Sequence, residues 1–572
     1  MSVPDEQTNI AFKWLSEYSS ALLSGDPQAV ASTFVPGGWL RDVLTFTWDN
    51  RSLEGREKIS SYLTDRLQRT QISHITLSKD PYFHPSYLPT GTGLDGDLEA
   101  GFVFETPVAY GKGYMRLVPD KDGEWKALIV SMVLADFKGH EEMPGRENFE
   151  DVAQNRSWGE METDRRARIE SNPHAVIIGG GQTGLHVAAR FKQMGIPALI
   201  IERRQRIGDN WRCRYDSLAL HTIREQHQLL YQPHPSTWPI FTPRDKVADM
   251  LESYAVNQDL VVWTSSSIVG RPTYSQETKV WTLIVNHAGK QVEMHPVHVV
   301  LATGTPGDPY TPTLENRDCF TGIAIHATQY MNPKIFLGKD VIVVGAGNSS
   351  IDICQDLATN GAKSVTMVQR SSTCVVSREH VAQGLSSIWQ QGVPVEVGDF
   401  KFASTPFGFS KKMMINRVQE SWAEETELHD KLRMGGLKIN MGPEGQGQFL
   451  LVFERGGGMD KGGADLIASG DIKVKQGVAP KSFGEKSLIF EDESELPADA
   501  VIFATGYINI RETNKKLFGA DIIDQTSHVW GLDDEGELRG SYRPSGHPGL
   551  WYATGDFYNS RFQSKQLVRD DT

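Results

Sequence analysis

The sequence has little cysteine, no long apolar run and no excess of basic residues. Four of its 572 residues are cysteine, and no two of them are close enough for a CxxC redox motif or a zinc site. No stretch reaches the roughly 18 apolar residues of a membrane helix, and the start, MSVPDEQTN, does not resemble a signal peptide. These absences predict a soluble cytoplasmic protein without a metal cluster, a disulfide scaffold or an integral membrane segment.

Acidic residues outnumber basic ones. With 72 Asp and Glu against 58 Lys and Arg, the net charge is −14. A nucleic-acid binder usually carries a basic patch, so we expect no nucleic-acid partner. Hydrophobic residues make up 39% and charged residues 23%, which is typical of a globular protein and excludes a disordered chain. At about 150 residues per domain, the length predicts three or four domains.

The first 140 residues differ in pattern from the rest. Apolar residues recur at helical spacing from Ile10 to Leu22. Two more helices and five strands are predicted, the helices over 28–34 and 58–67 and the strands over 43–48, 72–77, 101–104, 110–118 and 125–134. Helices followed by an antiparallel sheet predict an α+β unit. The order of elements, with the segment WLRDVLTFTWDNRSLEG, resembles the NTF2-like (SnoaL-like) cone.

That resemblance leaves two roles for residues 1–140. NTF2-like cones can be enzymes with an acid and a histidine in the pocket, and Asp42 and His74 are the candidates here. Fused cones more often dimerise or cap a substrate site, so an interaction role is the favoured alternative, and it would allow a homodimer through this domain. Residues 141–172 are charged and polar, and we interpret them as a linker.

A first dinucleotide-binding motif follows residue 172. The strand 174–178 runs into GGGQTG, a GxGxxG that opens a helix, and a second strand ends at Glu202, 18 residues after Gly184. This is the complete Rossmann pattern, in which the glycines and the helix N-terminus bind a pyrophosphate and the acid binds ribose hydroxyls. The candidate binding residues are Gly179, Gly181, Gln182, Thr183, Gly184, Glu202 and Arg203.

A second motif begins at residue 341. The strand 341–344 precedes GAGNSS, and the next strand, 364–368, ends in Gln-Arg-Ser-Ser instead of an acid. A carboxylate there would repel a 2′-phosphate, whereas arginine and hydroxyls favour one, so this unit is predicted to bind NADPH. Its candidate residues are Gly345, Gly347, Asn348, Ser349, Ser350, Arg370 and Ser371.

Two Rossmann units in one chain predict a bound flavin and a nicotinamide that delivers hydride. Disulfide reduction would need a CxxC-like pair beside the flavin, and the sequence has none, so electrons are expected to pass to oxygen. Between the units, Phe320, Gly322, His326 and Tyr330 fit FxGxxxHxxxY. This pattern resembles the identifying sequence of the flavin-containing monooxygenases, and the resemblance extends over residues 173–565.

The resemblance implies further cofactor-binding residues. The segment 208–212 resembles the family's GxWR, two ATG turns mark crossings between the nucleotide domains, and a Gly-Asp turn near residue 555 caps the FAD. The residues assigned in this way are Trp211, Arg212, His221, Thr222, Ala302, Thr303, Gly304, Thr505, Gly506, Gly555 and Asp556.

Two histidines are candidate catalytic residues. His221 takes the place of the family's asparagine near the flavin ring, and plant auxin-forming relatives also look His-like there. It either places the ligand differently, maintains a peroxyacid-type nucleophilic flavin, or only hydrogen-bonds to flavin or backbone. His326 lies on an interdomain connection, where hinge support is the alternative to a chemical role.

By resemblance, NADPH reduces FAD, and reduced FAD takes up O2 as a C4a-hydroperoxide that oxygenates a small-molecule substrate. Oxygenation at nitrogen or sulfur is the favoured reaction. The alternatives are Baeyer–Villiger oxygenation of a ketone and oxidative decarboxylation of a 2-oxo acid such as indole-3-pyruvate. A redox-inactive FAD-binding interaction protein is a further alternative of a different class.

The predicted fold class is α/β, with two Rossmann-like domains after the α+β cone. The NADPH domain, 336–498, is predicted to be inserted in an FAD domain made of 173–335 and 499–572. A long segment, 379–463, either lines the substrate entrance or is ordinary core. Its large apolar residues are Phe407, Phe409, Met413, Met414 and Trp422.

Overall fold

The computed structural model describes residues 5–88, 96–143, 156–442, 445, 447 and 457–570. The helices are α1 (Glu6–Ser24), α2 (Pro27–Ser32), α3 (Arg56–Leu63), α4 (Leu67–Thr70), α5 (Trp158–Ser171), α6 (Gln182–Gln193), α7 (Asp209–Arg212), α8 (Arg244–Asn257), α9 (Asn348–Thr359), α10 (Arg378–Ile388), α11 (Val395–Ser404), α12 (Phe407–Asn416), α13 (Val418–Glu424), α14 (Thr426–Met434), α15 (Gly463–Ser469), α16 (Ile510–Phe518), α17 (Ala520–Ile523) and α18 (Phe557–Gln563). None of the helices in these ranges is long and apolar enough to cross a bilayer.

The strands of the same ranges form several sheets. They are β1 (Phe34–Val43), β2 (Asn50–Glu54), β3 (Ser73–Leu77), β4 (Ser86–Tyr87), β5 (Leu98–Glu105), β6 (Ala109–Pro119), β7 (Trp125–Phe137), β8 (Ala175–Ile178), β9 (Ala198–Ile201), β10 (Val262–Trp263), β11 (Ser267–Tyr274), β12 (Trp281–His287), β13 (Lys290–Met294), β14 (His298–Leu301), β15 (Pro306–Pro309), β16 (Ile323–His326), β17 (Asp340–Val344), β18 (Ser364–Gln369), β19 (Val375–Ser377), β20 (Gly458–Asp460), β21 (Ile472–Gln476), β22 (Pro480–Gly484), β23 (Ser487–Phe490), β24 (Glu495–Pro497), β25 (Ala500–Phe503), β26 (Tyr507–Asn509) and β27 (Leu550–Tyr552).

The N-terminal unit, residues 5–137, is an α+β domain. Its sheet has the order β2-β1-β7-β6-β5-β3, with β4 paired to β5. The pairs are antiparallel except β1 with β7. Trp14 and Tyr18 of α1 pack with Leu40, Phe102 and Met132 of the sheet, so the helices and one sheet face share an apolar core.

The strand predicted over 43–48 lies earlier in the chain, at β1. The carboxylate of Asp42 accepts hydrogen bonds from the backbone N–H groups of Thr45 and Phe46, at 2.7 and 3.1 Å. These bonds turn the chain directly after Val43, so the apolar residues that follow cannot extend the strand. The strand predicted over 43–48 is therefore wrong, because the turn at Asp42 interrupts the apolar run.

Residues 158–171, predicted as linker, form the helix α5. Ser157 and Glu160 make a reciprocal capping box, in which each side chain accepts a hydrogen bond from the other residue's backbone N–H. None of the residues of α5 is buried, which explains why the sequence has no apolar stripe there. Residues 144–155 of the predicted linker lie outside the described ranges.

Two parallel sheets follow. The first nucleotide unit is built on the order β10-β9-β8-β14-β27, and the second nucleotide unit on β16-β25-β17-β18-β21. Strand β27 comes from the far end of the chain, so the first unit is discontinuous in sequence. Strands β16 and β25 lie in the second sheet, which therefore extends past the predicted boundaries at 335 and 498.

Part of the segment 379–463 packs against the N-terminal unit. Phe409 of α12 is buried against Trp39 and Ile129 of the N-terminal sheet, and Phe407 lies under the guanidinium of Arg41. Both phenylalanines therefore belong to an interdomain core. Met414 is 38% exposed.

A buried ion pair joins the N-terminal unit to the C-terminal part of the chain. The guanidinium of Arg41 donates to both carboxylate oxygens of Glu537, at 2.8 and 2.7 Å, and the two side chains are 2% and 1% exposed. The same guanidinium donates to the carbonyl oxygen of Ala403, and Ser52 donates to Glu537 at 2.6 Å. Because every charged atom has a partner, the pair sets a specific orientation between the units.

We expect Glu537→Gln to lower the free energy of the first unfolding transition by about 3–5 kcal/mol, because it leaves Arg41 buried without a counter-charge. Chemical denaturation followed by fluorescence measures the change. Glu124→Gln is the matched control, since Glu124 pairs with Lys13 at the surface and its loss should have no measurable effect. Equal stability of both variants would contradict the prediction.

Candidate functional site

The first glycine-rich turn lies between β8 and α6. Gly179 has a φ of +113°, and a Cβ there would overlap the carbonyl oxygen of Ala302. A Cβ on Gly184 would overlap the carbonyl oxygen of Gly179. Only glycine fits both positions, so the N-terminus of α6 lies directly against the strand ends, where a pyrophosphate would bind. Gln182 and Thr183 are the first residues of α6.

Glu202 directly follows β9. Its two carboxylate oxygens accept hydrogen bonds from the backbone N–H groups of Gly180 and Arg204, each at 2.7 Å. One acceptor site on each oxygen remains for the two hydroxyls of a ribose. Arg203 is exposed to solvent beside it. The geometry therefore fits the nucleotide role that the sequence predicted for Glu202.

Helix α7 borders this turn. The side-chain amide of Asn210 lies beside Gly181, and the indole Nε1 of Trp211 is buried with no hydrogen-bond partner among the described residues. A buried donor of this kind fits a bound ligand. Arg212 is fully engaged by carboxylates of Asp209, Asp249 and Glu252, at 3.0, 2.9 and 2.8 Å, so it anchors α7 to α8.

A second turn faces the first one from the C-terminal end of β27. The backbone N–H of Gly555 donates to the hydroxyl of Thr305 at 2.7 Å. Asp556 caps α18 by accepting from the N–H of Asn559 at 2.9 Å, and it accepts from the amide of Gln226 at 2.8 Å. Asp556 keeps solvent contact, yet the surrounding protein desolvates its carboxylate and raises its pKa.

Three residues at these turns were missed by sequence reasoning. Gln226 and Thr305 hold the Gly555–Asp556 turn, and Ser560 of α18 donates to the hydroxyl of Thr183 at 3.1 Å. A polar residue in a loop gives no sequence signal of such a contact. Thr305 and Ser560 are small hydroxyl residues near glycine-containing turns, and this position was the available sequence indication of their contacts.

The second glycine-rich turn lies between β17 and α9. Gly345 has a φ of +128°, and a Cβ there would overlap the carbonyl oxygen of Ala504. The hydroxyl of Ser350, which replaces the usual glycine or alanine, donates to the carbonyl oxygen of Gly345 and so ties the helix to the turn. Asn348 accepts from the N–H of Met459 at 2.5 Å. Gly347 and Ser349 complete the turn.

Arg370 follows β18, the second strand of this unit. Its side chain is exposed, and the described part of the chain provides it with no ion-pair partner. Ser371 is exposed next to it. An unpaired guanidinium at this strand end is available for a 2′-phosphate.

The two ATG turns connect the sheets. Ala302 continues β14 by donating to Ile178 at 2.9 Å, and Thr303 donates to Asn514 at 3.3 Å, just before Gly304. In the other turn, Thr505 donates to the carbonyl oxygen of Tyr310 at 2.5 Å. These contacts place both turns at the carboxyl ends of their sheets.

His326 supports the second of these turns. Its Nε2 donates to the carbonyl oxygen of Gly506 at 3.1 Å, and its Nδ1 accepts from the N–H of Thr328 at 3.1 Å. Burial lowers the pKa of the ring. Because both ring nitrogens form hydrogen bonds within the protein, the contacts of His326 fit support of the hinge between the domains.

His221 lies where the two nucleotide units meet. Its Nε2 donates to Asp352 of α9 at 3.2 Å, and Tyr215 donates to the same carboxylate oxygen at 2.6 Å. Lys461 lies 3.3 Å from the other oxygen. Burial disfavours the charged form of Asp352, but His221, Lys461 and Tyr215 together hold its pKa below the usual range. Thr222 contacts His227 at 3.5 Å.

Asp352 was not a candidate from the sequence. It lies on α9, two residues after Ser350, and its side chain is 0% exposed. The available signal was a carboxylate inside the apolar stripe of Ile351 and Cys354, where an unpaired charge would be costly. Only the fold shows that two of its partners, Tyr215 and His221, come from the other nucleotide unit.

Asp42 and His74, the candidate pair in the N-terminal unit, do not share a pocket. Asp42 is fully buried, accepts from the hydroxyl of Tyr62 at 2.6 Å, and burial raises its pKa to about 6. His74 is exposed on β3. The interior between them is filled by the apolar core of the domain.

The sequence model of a family described as "FMO-like: Flavin-binding monooxygenase-like" matches residues 173–510. The chain belongs to this family. As a flavin-binding monooxygenase-like protein it is an oxygen-incorporating, flavin-dependent oxidoreductase, and the predicted flavin is confirmed. The matched range contains both glycine-rich turns, His221 and His326.

Curated relatives of this family member include plant enzymes. Indole-3-pyruvate monooxygenase YUCCA1 of Oryza sativa subsp. japonica is 30% identical over 339 residues, which cover 59% of this chain and 77% of that protein. Probable indole-3-pyruvate monooxygenase YUCCA9 of Arabidopsis thaliana is 27% identical over 413 residues, which cover 71% and 87%.

Two solved structures have a similar fold. Cyclohexanone monooxygenase with bound epsilon-caprolactone has a TM-score of 0.52 at 16% identity, covering 70% of this chain and 88% of that chain. The OTEMO complex with FAD and NADP has a TM-score of 0.50 at 14% identity, covering 70% and 86%. The prediction of a flavin and a nicotinamide cofactor agrees with these comparisons.

We expect Gly345→Ala to abolish or weaken NADP⁺ binding at least about tenfold while the purified protein keeps its flavin, because the strained turn belongs to the second unit alone. Titration with NADP⁺ and the flavin absorbance of the purified protein measure the two effects. Gly384→Ala is the control, since a Cβ at Gly384 meets no atom within 4 Å. Wild-type NADP⁺ affinity in Gly345→Ala would refute the assignment.

Proposed function

We propose that this protein is an NADPH- and FAD-dependent monooxygenase that transfers one atom of O2 to a small organic substrate. The observation that carries the proposal is the junction at Asp352, where the second nucleotide unit bonds to Tyr215 and His221 of the first. It brings the carboxyl ends of two dinucleotide-binding sheets together. A nicotinamide and a flavin bound at these ends would face each other across that junction.

When bound, FAD and NADPH supply hydride transfer and oxygen activation. The residues of this chain bind the two nucleotides and orient them. Glu202 and the turn at Gly179 hold the flavin nucleotide, Gly345 and Arg370 hold the nicotinamide nucleotide, and His326 fixes the crossing between the sheets. His221 is held in one tautomer, because a carboxylate oxygen only accepts and Nε2 must therefore carry the proton.

Two substrate classes are candidates. Oxygenation at the nitrogen of an amine or the sulfur of a sulfide is what the flavin-containing monooxygenase motif implies. Oxidative decarboxylation of a 2-oxo acid is favoured by a specific observation, the 27–30% identity to indole-3-pyruvate monooxygenases. In both cases the enclosed junction has to exclude water while the substrate reacts.

We further propose that the N-terminal unit is an NTF2-like cone without a catalytic site of its own. Helices α1 and α2 precede β1, α3 and α4 precede β3, and the strands form one seven-stranded sheet. Its interior is filled with side chains such as Trp14 and Phe102. The face of the sheet that carries Arg41 is covered by α11 and α12 of the same chain. A homodimer through the remaining surface of this unit stays a prediction.

The test first measures reduction of the flavin by NADPH and then oxygenation of candidate substrates. We expect the purified protein to be yellow, and anaerobic NADPH to bleach the flavin absorbance. With air, amines, sulfides, ketones and 2-oxo acids are then supplied separately and products are identified by mass. Bound flavin that NADPH does not reduce would instead favour a redox-inactive binding protein, and a ketone-derived ester would favour the Baeyer–Villiger alternative.

We expect Arg370→Ala to raise the KM for NADPH about tenfold and leave the KM for NADH unchanged, because the guanidinium would contact only the 2′-phosphate. Initial rates of flavin reduction with both nucleotides measure the effect. Arg433→Ala, at an exposed position of α14 where the side chain pairs with Asp430 of the same helix, serves as control. An equal effect on NADH would show that Arg370 does not read the 2′-phosphate.

A further inference from the structure

Helix α11 belongs by sequence to the segment inserted in the second nucleotide unit, but it packs against the other two units. On one side, Phe400 joins an apolar cluster with Val43, Leu44, Tyr114 and Val133 of the N-terminal sheet. On the other side, Val395 and Ala403 cluster with Trp389 and Tyr558, the second residue of α18. This helix therefore connects the N-terminal unit to the helix that follows the Gly555–Asp556 turn.

A buried ion pair fixes α11 to α18. Arg561 donates from Nε and Nη2 to the two carboxylate oxygens of Asp399, at 2.8 and 2.6 Å. The side chains are 1% and 5% exposed, so neither charge is solvated by water. The indole of Trp389 donates to Asp399 at 2.8 Å. The carboxylate is thus oriented by one neutral donor and one bidentate cation.

The same arginine holds a loop of the first nucleotide unit. Its Nη1 donates to the carbonyl oxygens of Gln226 and Gln228, at 2.8 and 2.7 Å. The side chain of Gln226 in turn donates to Asp556 at 2.8 Å. A continuous chain of hydrogen bonds therefore runs from Asp399 through Arg561 and Gln226 to Asp556, the acid of the turn assigned to the flavin.

The opposite end of α11 is held by the N-terminal unit. Arg41 donates to the carbonyl oxygen of Ala403, in the last turn of the helix, where a cation is favoured by the unpaired carbonyl groups. Lys401 pairs with Glu99 of β5 at 2.7 Å. The position of α11 is consequently set from both sides, by the N-terminal sheet and by Arg561.

We propose that Asp399 is a positioning residue for flavin binding, which acts through Arg561 and Gln226 on Asp556, and that the N-terminal unit serves to hold Asp399 in place. The inference rests on the assignment of the Gly555–Asp556 turn to the flavin. It gives the N-terminal unit a function in cofactor retention that requires no pocket of its own. Without Asp399, Arg561 would be a buried cation with only carbonyl partners, and the loop it holds would shift.

The decisive experiment measures FAD affinity of the full-length protein. Flavin is removed from wild type, Asp399→Asn and Glu396→Gln, and FAD is titrated back by fluorescence. Glu396→Gln is the matched control, because it makes the same acid-to-amide change on an exposed position of the same helix. We expect the Kd of FAD to rise about tenfold in Asp399→Asn and to stay unchanged in Glu396→Gln.

Saturating FAD is expected to restore the wild-type flavin spectrum and thermal midpoint of Asp399→Asn. Recovery by ligand separates a displaced binding turn from a globally unfolded protein. A Kd within twofold of wild type would overturn the inference. Failure of the wild type itself to bind FAD would instead overturn the proposed function.

Trp389→Phe is a milder variant that leaves the ion pair intact and removes only the indole donor to Asp399. We expect it to fold and to raise the Kd of FAD about threefold. If Asp399→Asn cannot be purified, the Kd of FAD for Trp389→Phe tests the inference in its place. An unchanged Kd in Trp389→Phe would then overturn the inference.

Discussion

The arrangement of the three units depends on two arginine–carboxylate pairs buried on either side of α11. Arg41 with Glu537 and Arg561 with Asp399 are each almost inaccessible to solvent. Apolar packing is non-directional and tolerates small rotations, whereas a bidentate pair with all its atoms satisfied allows one orientation. The apolar clusters around Phe400 and Trp389 supply burial, and the ion pairs define how the surfaces meet.

The candidate site follows from the same arrangement. Parallel strands bring their carboxyl ends to one edge, so each sheet presents its glycine-rich turn and its ATG turn together. Asp352 reaches across to Tyr215 and His221 and so links the two edges. A single carboxylate, placed by the helix of one nucleotide unit, thereby orients a histidine of the other.

Local sequence determined much of this fold. The turns at Gly179 and Gly345 were predictable because each requires glycine for a steric reason. Glu202 was predictable because it directly follows the second strand of the motif, 18 residues after Gly184. The end of β1 was not predictable, because the side chain of Asp42 ends the strand by a local hydrogen bond. Helix α5 was missed, because an exposed helix has no apolar stripe.

Long-range partners were beyond sequence reasoning. Nothing local to Asp399 distinguishes it from a surface acid, and its partner is 162 residues away. Arg212 matched a family pattern, yet its neighbours on α8 show that it anchors a helix. In each case the residue type was visible, but the partner depended on which surfaces the fold brings together.

Strand β27 and Glu537 have a consequence for how the chain acquires its structure. Arg41 and Glu537 are separated by 496 residues, and β27 joins a sheet whose strand β8 was made long before it. During synthesis the face of the N-terminal sheet that carries Arg41 therefore stays uncovered until α11, α12 and Glu537 have been made. The first nucleotide sheet stays incomplete until β27 has been made. Such late closure makes folding slow and exposes the nascent chain to aggregation, so chaperones have a long interval in which to act.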